Sequence, residues 1–275
     1  NPGRTLVKKF ALAFAGLLAL TACSSQATSN SDQSATQPAA SSAAAGGTDQ
    51  TSATLTIFAA ASLKNVFPKI YEEFKKTHPN YTIEFSFGGS SELATQINNG
   101  AEADVFASAN EKQMTVASDA GNVDAAGTKI FATNTLTLVT PPSNPAGITK
   151  LEDVTKEGVK LVVCAEQVPC GAATKQLAEA TGFTFIPVSE EQKVTDVLAK
   201  VTSGEADAGL VYVTDAAGAG DKVKVVDTPE ANKIVNKYPI AVTKSARQGA
   251  QAFVDFVLGE QGQSMLQDAG FGAPR

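Results

Sequence analysis

Short apolar runs alternate with segments of helical periodicity along most of this 275-residue chain, and that alternation limits its fold more than any other feature. Strands are predicted at 54–58, 81–87, 104–108, 135–140, 159–163, 183–188, 208–213, 223–226 and 238–243. Helices are predicted at 62–77, 91–99, 111–119, 171–181, 190–203 and 246–257. Such alternation is what strand–helix–strand units produce, so the expected class is α/β with mostly parallel sheets. Pro68 falls inside the first predicted helix and should bend it or leave a carbonyl free.

The unit at 54–67 is the most informative. Leu55, Ile57 and Phe58 read as a buried strand, and Leu63, Val66, Phe67, Ile70 and Phe74 recur at helical spacing. Between them Ala59, Ala60, Ala61 and Ser62 are small enough to let another molecule approach the backbone. Ser62 sits where a helix N-cap belongs, beside unpaired N–H groups and the positive end of the helix dipole. Taken alone, an ordinary capping serine is the commoner reading; an anion cradle is the other. Similar junctions recur at Gly88-Gly89-Ser90-Ser91, at Pro169-Cys170-Gly171 and at Ser189-Glu190-Glu191-Gln192. In open α/β sheets ligands gather at the C-terminal ends of strands, where converging helix N-termini hold an anion without any lysine or arginine. There is also a faint internal echo. Gly100 to Asp104 and Gly204 to Asp207 each read as a glycine helix end, an acidic turn and a buried strand.

The N-terminal region reads as a targeting segment. Arg4, Lys8 and Lys9 precede an eleven-residue apolar run at 10–20, too short to span a bilayer comfortably. Leu20-Thr21-Ala22-Cys23 resembles the lipobox of bacterial lipoproteins, which implies a signal peptide over 1–23 and a lipid on the Cys23 thiol. A buried helix with an incidental cysteine is the alternative. Residues 24–53 hold no aromatic residue and no Leu, Ile, Val or Met, so a disordered tether with a reach of roughly 30 Å is expected there. The expected location is extracytoplasmic, anchored to the cell membrane. About 222 residues remain, enough for one large or two medium domains. The net charge of −6 argues against a nucleic-acid partner. With Cys23 consumed by lipid, Cys164 and Cys170 remain, and a close pair outside the cytosol is usually oxidised; two reduced buried thiols are the alternative.

Catalytic motifs are missing. The single histidine, His78, precedes Pro79 in a polar turn, which excludes His-based zinc clusters and leaves any triad dependent on one solvated residue. No GxSxG, P-loop or GxGxxG occurs, and the pair Glu190 and Glu191 falls at a predicted helix start, where the dipole favours acids. The chain is therefore expected to be no enzyme and to need no cofactor or structural metal.

The motifs Phe58-Ala-Ala-Ala-Ser62-Leu, Gly-Ser90-Ser91-Glu-Leu-Ala, Ala103-Asp104-Val-Phe-Ala-Ser-Ala, Val168-Pro169-Cys170-Gly171 and Gly209-Leu-Val-Tyr212, in this order, resemble the substrate-binding proteins of bacterial molybdate ABC transporters. The similarity runs from about Thr54 to Phe271. It implies a two-lobed periplasmic-binding-protein fold of type II, with mostly parallel sheets and a hinge of two crossing strands. The lobes expected are 54–136 plus 241–275 and 137–240, with crossings near 135–140 and 237–243. It further implies that Ser62 and Ser90 give hydroxyl and backbone N–H donors, Cys170 and Val194 give backbone N–H groups, and Tyr212 gives its phenol. Cys170 stands where the family often has alanine, and it strengthens the case for a Cys164–Cys170 bridge. Ser189 and Gln192 fit a capping box that would bury the Val194 N–H a turn inside its helix; the family role requires the helix to start near Gln192 or Lys193. The resemblance implies capture of molybdate or tungstate by a monomer and delivery to a membrane permease. Receptors for sulfate or a small organic acid are the nearest rivals, with a secreted hydrolase or a purely structural lipoprotein behind them.

Overall fold

A computed structural model of the chain describes residues 52–275; the expected signal peptide, Cys23 and tether lie outside the described residues, except that the tether's expected last residue, Ala53, already belongs to the first strand. Two five-stranded sheets organise it. The first has the order β2-β1-β3-β10-β4, built from β1 (Ala53–Ala60), β2 (Tyr81–Gly88), β3 (Val105–Ala107), β4 (Lys129–Asn134) and β10 (Asn236–Val242). The second has the order β7-β6-β8-β5-β9, from β5 (Leu136–Thr140), β6 (Leu161–Cys164), β7 (Ser189–Glu191), β8 (Ala208–Tyr212) and β9 (Lys224–Val226).

The two sheets are one plan used twice. Reading β6, β7, β8, β5 and β9 for β1, β2, β3, β10 and β4 reproduces the order and the sense of every pairing. In each sheet only the fourth strand, β10 or β5, runs antiparallel; the three strands before it and the edge strand after it, β4 or β9, all run the same way. The echo in the sequence belongs to this repeat. Asp104 ahead of β3 accepts from the Thr56 N–H and donates its own N–H to the Thr56 carbonyl at 2.8 Å. Asp207 ahead of β8 does the same with Lys160, at 2.8 and 2.9 Å. In both places a left-handed glycine, Gly100 at φ 94° and Gly204 at φ 80°, turns the chain out of the preceding helix.

Around the sheets lie α1 (Phe67–Thr77), α2 (Ser90–Asn98), α3 (Glu111–Asp119), α4 (Pro169–Thr181), α5 (Val194–Thr202), α6 (Val213–Ala219), α7 (Ala250–Leu258) and α8 (Glu260–Asp268). Several expected boundaries move. The helix expected at 62–77 is a 3-10 turn, Ala61–Leu63, followed by α1; Pro68 sits in the first turn of α1, where its missing N–H costs nothing, so it starts the helix rather than bending it. The strand expected at 183–188 is irregular, and pairing with β6 begins only at Ser189. The strand β4 was not anticipated, because Lys129-Ile-Phe-Ala-Thr-Asn134 carries too few apolar residues to stand out. Helices α6 and α8 were likewise missed, the first being Gly- and Ala-rich and the second Gln-rich.

The chain crosses from the first sheet to the second between Asn134 and Leu136 and returns between β9 and β10. Because all of β10 pairs with β3 and β4, the return precedes Asn236 rather than falling within 237–243, and the boundary placed at 240 moves back with it. The first lobe is stitched by aromatics. Phe67 lies 5.8 Å from both Phe131 and Phe253, and Phe74 packs edge-on against Phe253 and Phe256. The second has an aliphatic core that includes Leu138, Leu161, Leu177, Val197, Val201 and Leu210, all fully buried.

Asp104, 1% exposed, ties β1 to the segment after β10: its two oxygens accept from the Thr56 N–H and from the Arg247 backbone and guanidinium at 2.6–3.0 Å. Burial would raise its pKa, but the Arg247 side chain, the Arg247 N–H and the Thr56 N–H together hold it below the ordinary carboxylate value. Asp104→Asn should lower unfolding free energy by about 2–3 kcal/mol in urea titrations. The loss should shrink as pH falls through the depressed folded pKa, where the wild type too loses its carboxylate.

A neutral cavity between the lobes

The 3-10 turn after β1 and the first turns of α2, α4 and α5 converge on one small cavity. Its walls are Ala60, Ala61, Ser62, Gly88, Gly89, Ser90 and Ala109 from the first lobe and Val168, Pro169, Cys170, Val194 and Tyr212 from the second. All five expected donors, Ser62, Ser90, Cys170, Val194 and Tyr212, are thus brought together. The repeat explains why. Ser62 follows β1 as the Cys170 loop follows β6, Ser90 follows β2 as Val194 follows β7, and Ala109 follows β3 as Tyr212 closes β8.

The backbone supplies donors because helix starts leave N–H groups without intrahelical acceptors. Val168 is the N-cap of α4 and Pro169 fills the first position, so Cys170 stands at the second with its N–H free of the helix. Helix α5 begins at Val194, with Lys193 as its N-cap. Ser189 lies in β7 instead, bonded to Glu191, which also pairs with Lys200 at 2.5 Å; the capping box is spurious and the Val194 N–H stays in the first turn. Glu190 and Glu191 accordingly stand on a strand and not at a helix start.

The two serines do not cap, contrary to expectation. Ser62 is inside the 3-10 turn and its Oγ lies 2.8 Å from the Tyr238 hydroxyl. Ser90 is the first residue of α2, with Gly89 as N-cap, and its Oγ accepts from the Ala109 N–H at 3.0 Å. The sequence signal led to residues that line the cavity, for a reason that the local geometry replaces. Tyr212, 1% exposed, accepts from Asn236 Nδ2 at 2.9 Å. Burial, then the nearby Tyr238 and Asp215, push its phenol well above the ordinary value, so it remains a proton donor. Sequence reading missed Asn134, Asn236 and Tyr238; buried amides behind a tyrosine leave no periodic or motif signal.

The lobes are closed over this space. A Cβ on Gly89 would lie 2.1 Å from the Gln192 carbonyl oxygen, and Gln113 Nε2 donates to the Gln167 carbonyl at 2.9 Å. The cavity left is about 10 Å³. Sites for organic ligands run to several hundred Å³ and one water needs about 10–15 Å³, so the closed space excludes an organic ligand, and a polyatomic ion would have to part the lobes slightly. A larger cleft of about 370 Å³ also touches Ser62, but Lys69 and Asp268 are among its walls, so it does not share the charge-free lining. Behind α4, Cys164 and Cys170 are joined in the structure, Cα to Cα 5.6 Å, which pins the loop that carries the Cys170 N–H.

One charge lies close behind. Asp215, buried, accepts from the Tyr212 N–H at 3.0 Å, and burial pushes its pKa up to about 7 against the pull of that bond. Unfolded, it would ionise near pH 3.9. Between about pH 4 and 7 the folded chain therefore holds the extra proton, and stability falls as pH rises through that window. Asp215→Asn, which keeps an oxygen for the Tyr212 N–H, should flatten this part of the curve of melting temperature against pH.

The chain matches the family described as bacterial extracellular solute-binding protein over residues 55–272. It is 47% identical over 230 residues to the molybdate-binding protein ModA of Mycobacterium tuberculosis, covering 83% of this chain and 88% of that one. With the ModA of Escherichia coli it shares 35% over 228 residues, 79% and 88% of the two chains. The fold superimposes on the periplasmic molybdate-binding protein of Azotobacter vinelandii with a TM-score of 0.69 at 20% identity, over 80% of this chain and all of that one. The repeated sheets, the two crossings and the closed interlobe cavity thus have a family, and the chain belongs to the bacterial extracellular solute-binding proteins.

Proposed function

We propose that the chain captures molybdate or tungstate between its lobes and delivers it to the permease of an ABC transporter. The observation that carries this reading is the cavity: small, closed, and lined by neutral donors with no lysine or arginine. An oxyanion accepts on every oxygen, and the Ser62, Ser90 and Tyr212 hydroxyls with the Cys170 and Val194 N–H groups supply donors on several sides. Neutral donors suit a site that must release its ligand, since no ion pair has to be broken. The homology to molybdate-binding relatives favours these ions over sulfate. A smaller sulfate would leave some donors unpaired, at about 1–3 kcal/mol each.

The further expectations complete the proposal. Cleavage before Cys23 and lipidation of its thiol would tether a monomeric receptor to the outer face of the cell membrane, with the residues between Cys23 and β1 as a leash. Outside the cytosol the Cys164–Cys170 bridge would stay oxidised. The lobes would open and close about the two crossings.

Calorimetric titration of the purified chain should give strong heat with molybdate and tungstate and little with sulfate; the reverse order would make it a sulfate receptor. Ser62→Ala and Tyr212→Phe should each weaken molybdate binding by about 1–3 kcal/mol. Wild-type affinity in both variants would move the site elsewhere.

A further inference from the structure

Two asparagines stand where the two crossings meet. Asn134 ends β4, Asn236 begins β10, and they face each other in register. Both are buried, and neither touches the cavity. Asn236 Nδ2 lies 2.9 Å from the Ala109 carbonyl oxygen and 2.9 Å from the Tyr212 hydroxyl. A carbonyl only accepts, so the amide nitrogen must face it, and the orientation of Asn236 is settled by chemistry. The same nitrogen then donates to Tyr212, whose oxygen is taken and whose proton is turned away from the asparagine.

Asn134 acts likewise one strand away. Its Oδ1 accepts from the Thr135 N–H at 3.1 Å, which fixes the amide, and its Nδ2 donates to Thr214 Oγ1 at 2.8 Å and to the Tyr238 hydroxyl at 3.3 Å. Tyr238 can then donate to Ser62 Oγ, leaving the Ser62 proton for the cavity. Ser90 completes the set, for its Oγ accepts from Ala109, the residue whose carbonyl Asn236 holds. Each of the three cavity hydroxyls therefore has an oxygen in contact with a donor of the protein. Each amide also joins the lobes, Asn236 linking Ala109 to Tyr212 and Asn134 linking Tyr238 to Thr214.

We propose that Asn236, with Asn134 beside it, is the positioning residue that sets the polarity of the cavity, holding Tyr212 and Ser62 as donors toward a bound oxyanion. The proposal rests on the oxyanion reading above. Its distinguishing consequence is that Asn236 acts through Tyr212. A carboxylate at 236 would accept from Tyr212, turn the proton away from the ligand and add a repelling charge, although it has almost the same shape.

The test is a double-mutant cycle read by calorimetry with molybdate, or with sulfate if that is what the wild type takes. Asn236→Ala should weaken binding about tenfold and Asn236→Asp more than a hundredfold. In a Tyr212→Phe background, Asn236→Ala should cost less than about threefold more. Should Asn236→Ala fail to fold, as judged by circular dichroism, the near-isosteric Asn236→Asp carries the cycle, and Asn134→Ala is read against Ser62→Ala in the same way. Losses that multiply in the double variant, or equal losses for Ala and Asp at 236, overturn the proposal while leaving the function intact. A wild type that gives heat with no oxyanion overturns both.

Discussion

A buried hydrogen-bond donor without an acceptor costs about 1–3 kcal/mol, and several helix-start N–H groups come together at this cavity. Helix starts supply the backbone N–H groups, and Ser62, Ser90 and Tyr212 supply hydroxyls whose oxygens are already engaged by the protein. A bound oxyanion would accept from first-turn N–H groups that the helices themselves leave without acceptors. Its neutrality matters as much as its donors. With no cation in the wall, recognition depends on where N–H and O–H groups point, and a misplaced oxygen is felt at once.

The repeated lobe is how so many donors come to face one point. A strand–turn–helix unit presents one helix start at one strand end; two such units in each lobe, related by the same strand order, present four across the cleft. The lobes differ where function differs. The first carries the serines and an aromatic core, and the second carries the disulfide loop, bare backbone donors and the tyrosine. Gly89 marks the line of contact, since any side chain there would meet the Gln192 carbonyl and hold the lobes apart.

Much of this was legible in the residues. The alternation of strand and helix patterns gave the α/β class, and small residues at strand ends marked the junctions that became the site. The match at α3, Glu111–Asp119, is complete because Asn110 caps it through its own side chain, a local signal. Errors fell where tertiary contacts decide. β4 is held by pairing with β10 across a hundred residues, and α6 is a short Gly- and Ala-rich helix whose register follows from its place after β8. Ser62 and Ser90 looked like caps because capping and cavity-lining serines share the same sequence position. What distinguishes them is a partner far away in the chain, Tyr238 for one and Ala109 for the other, and no local pattern records that.

The central claim is that one dehydrated set of neutral donors, drawn from both lobes, holds the oxyanion. Anomalous diffraction at the molybdenum edge from crystals grown with molybdate tests it directly. The account predicts a single peak between Ser62, Ser90, Cys170, Val194 and Tyr212, with oxygens about 2.7–3.1 Å from their O–H and N–H groups and no lysine or arginine in contact. A peak beside a cationic side chain, or outside the cavity, would contradict it.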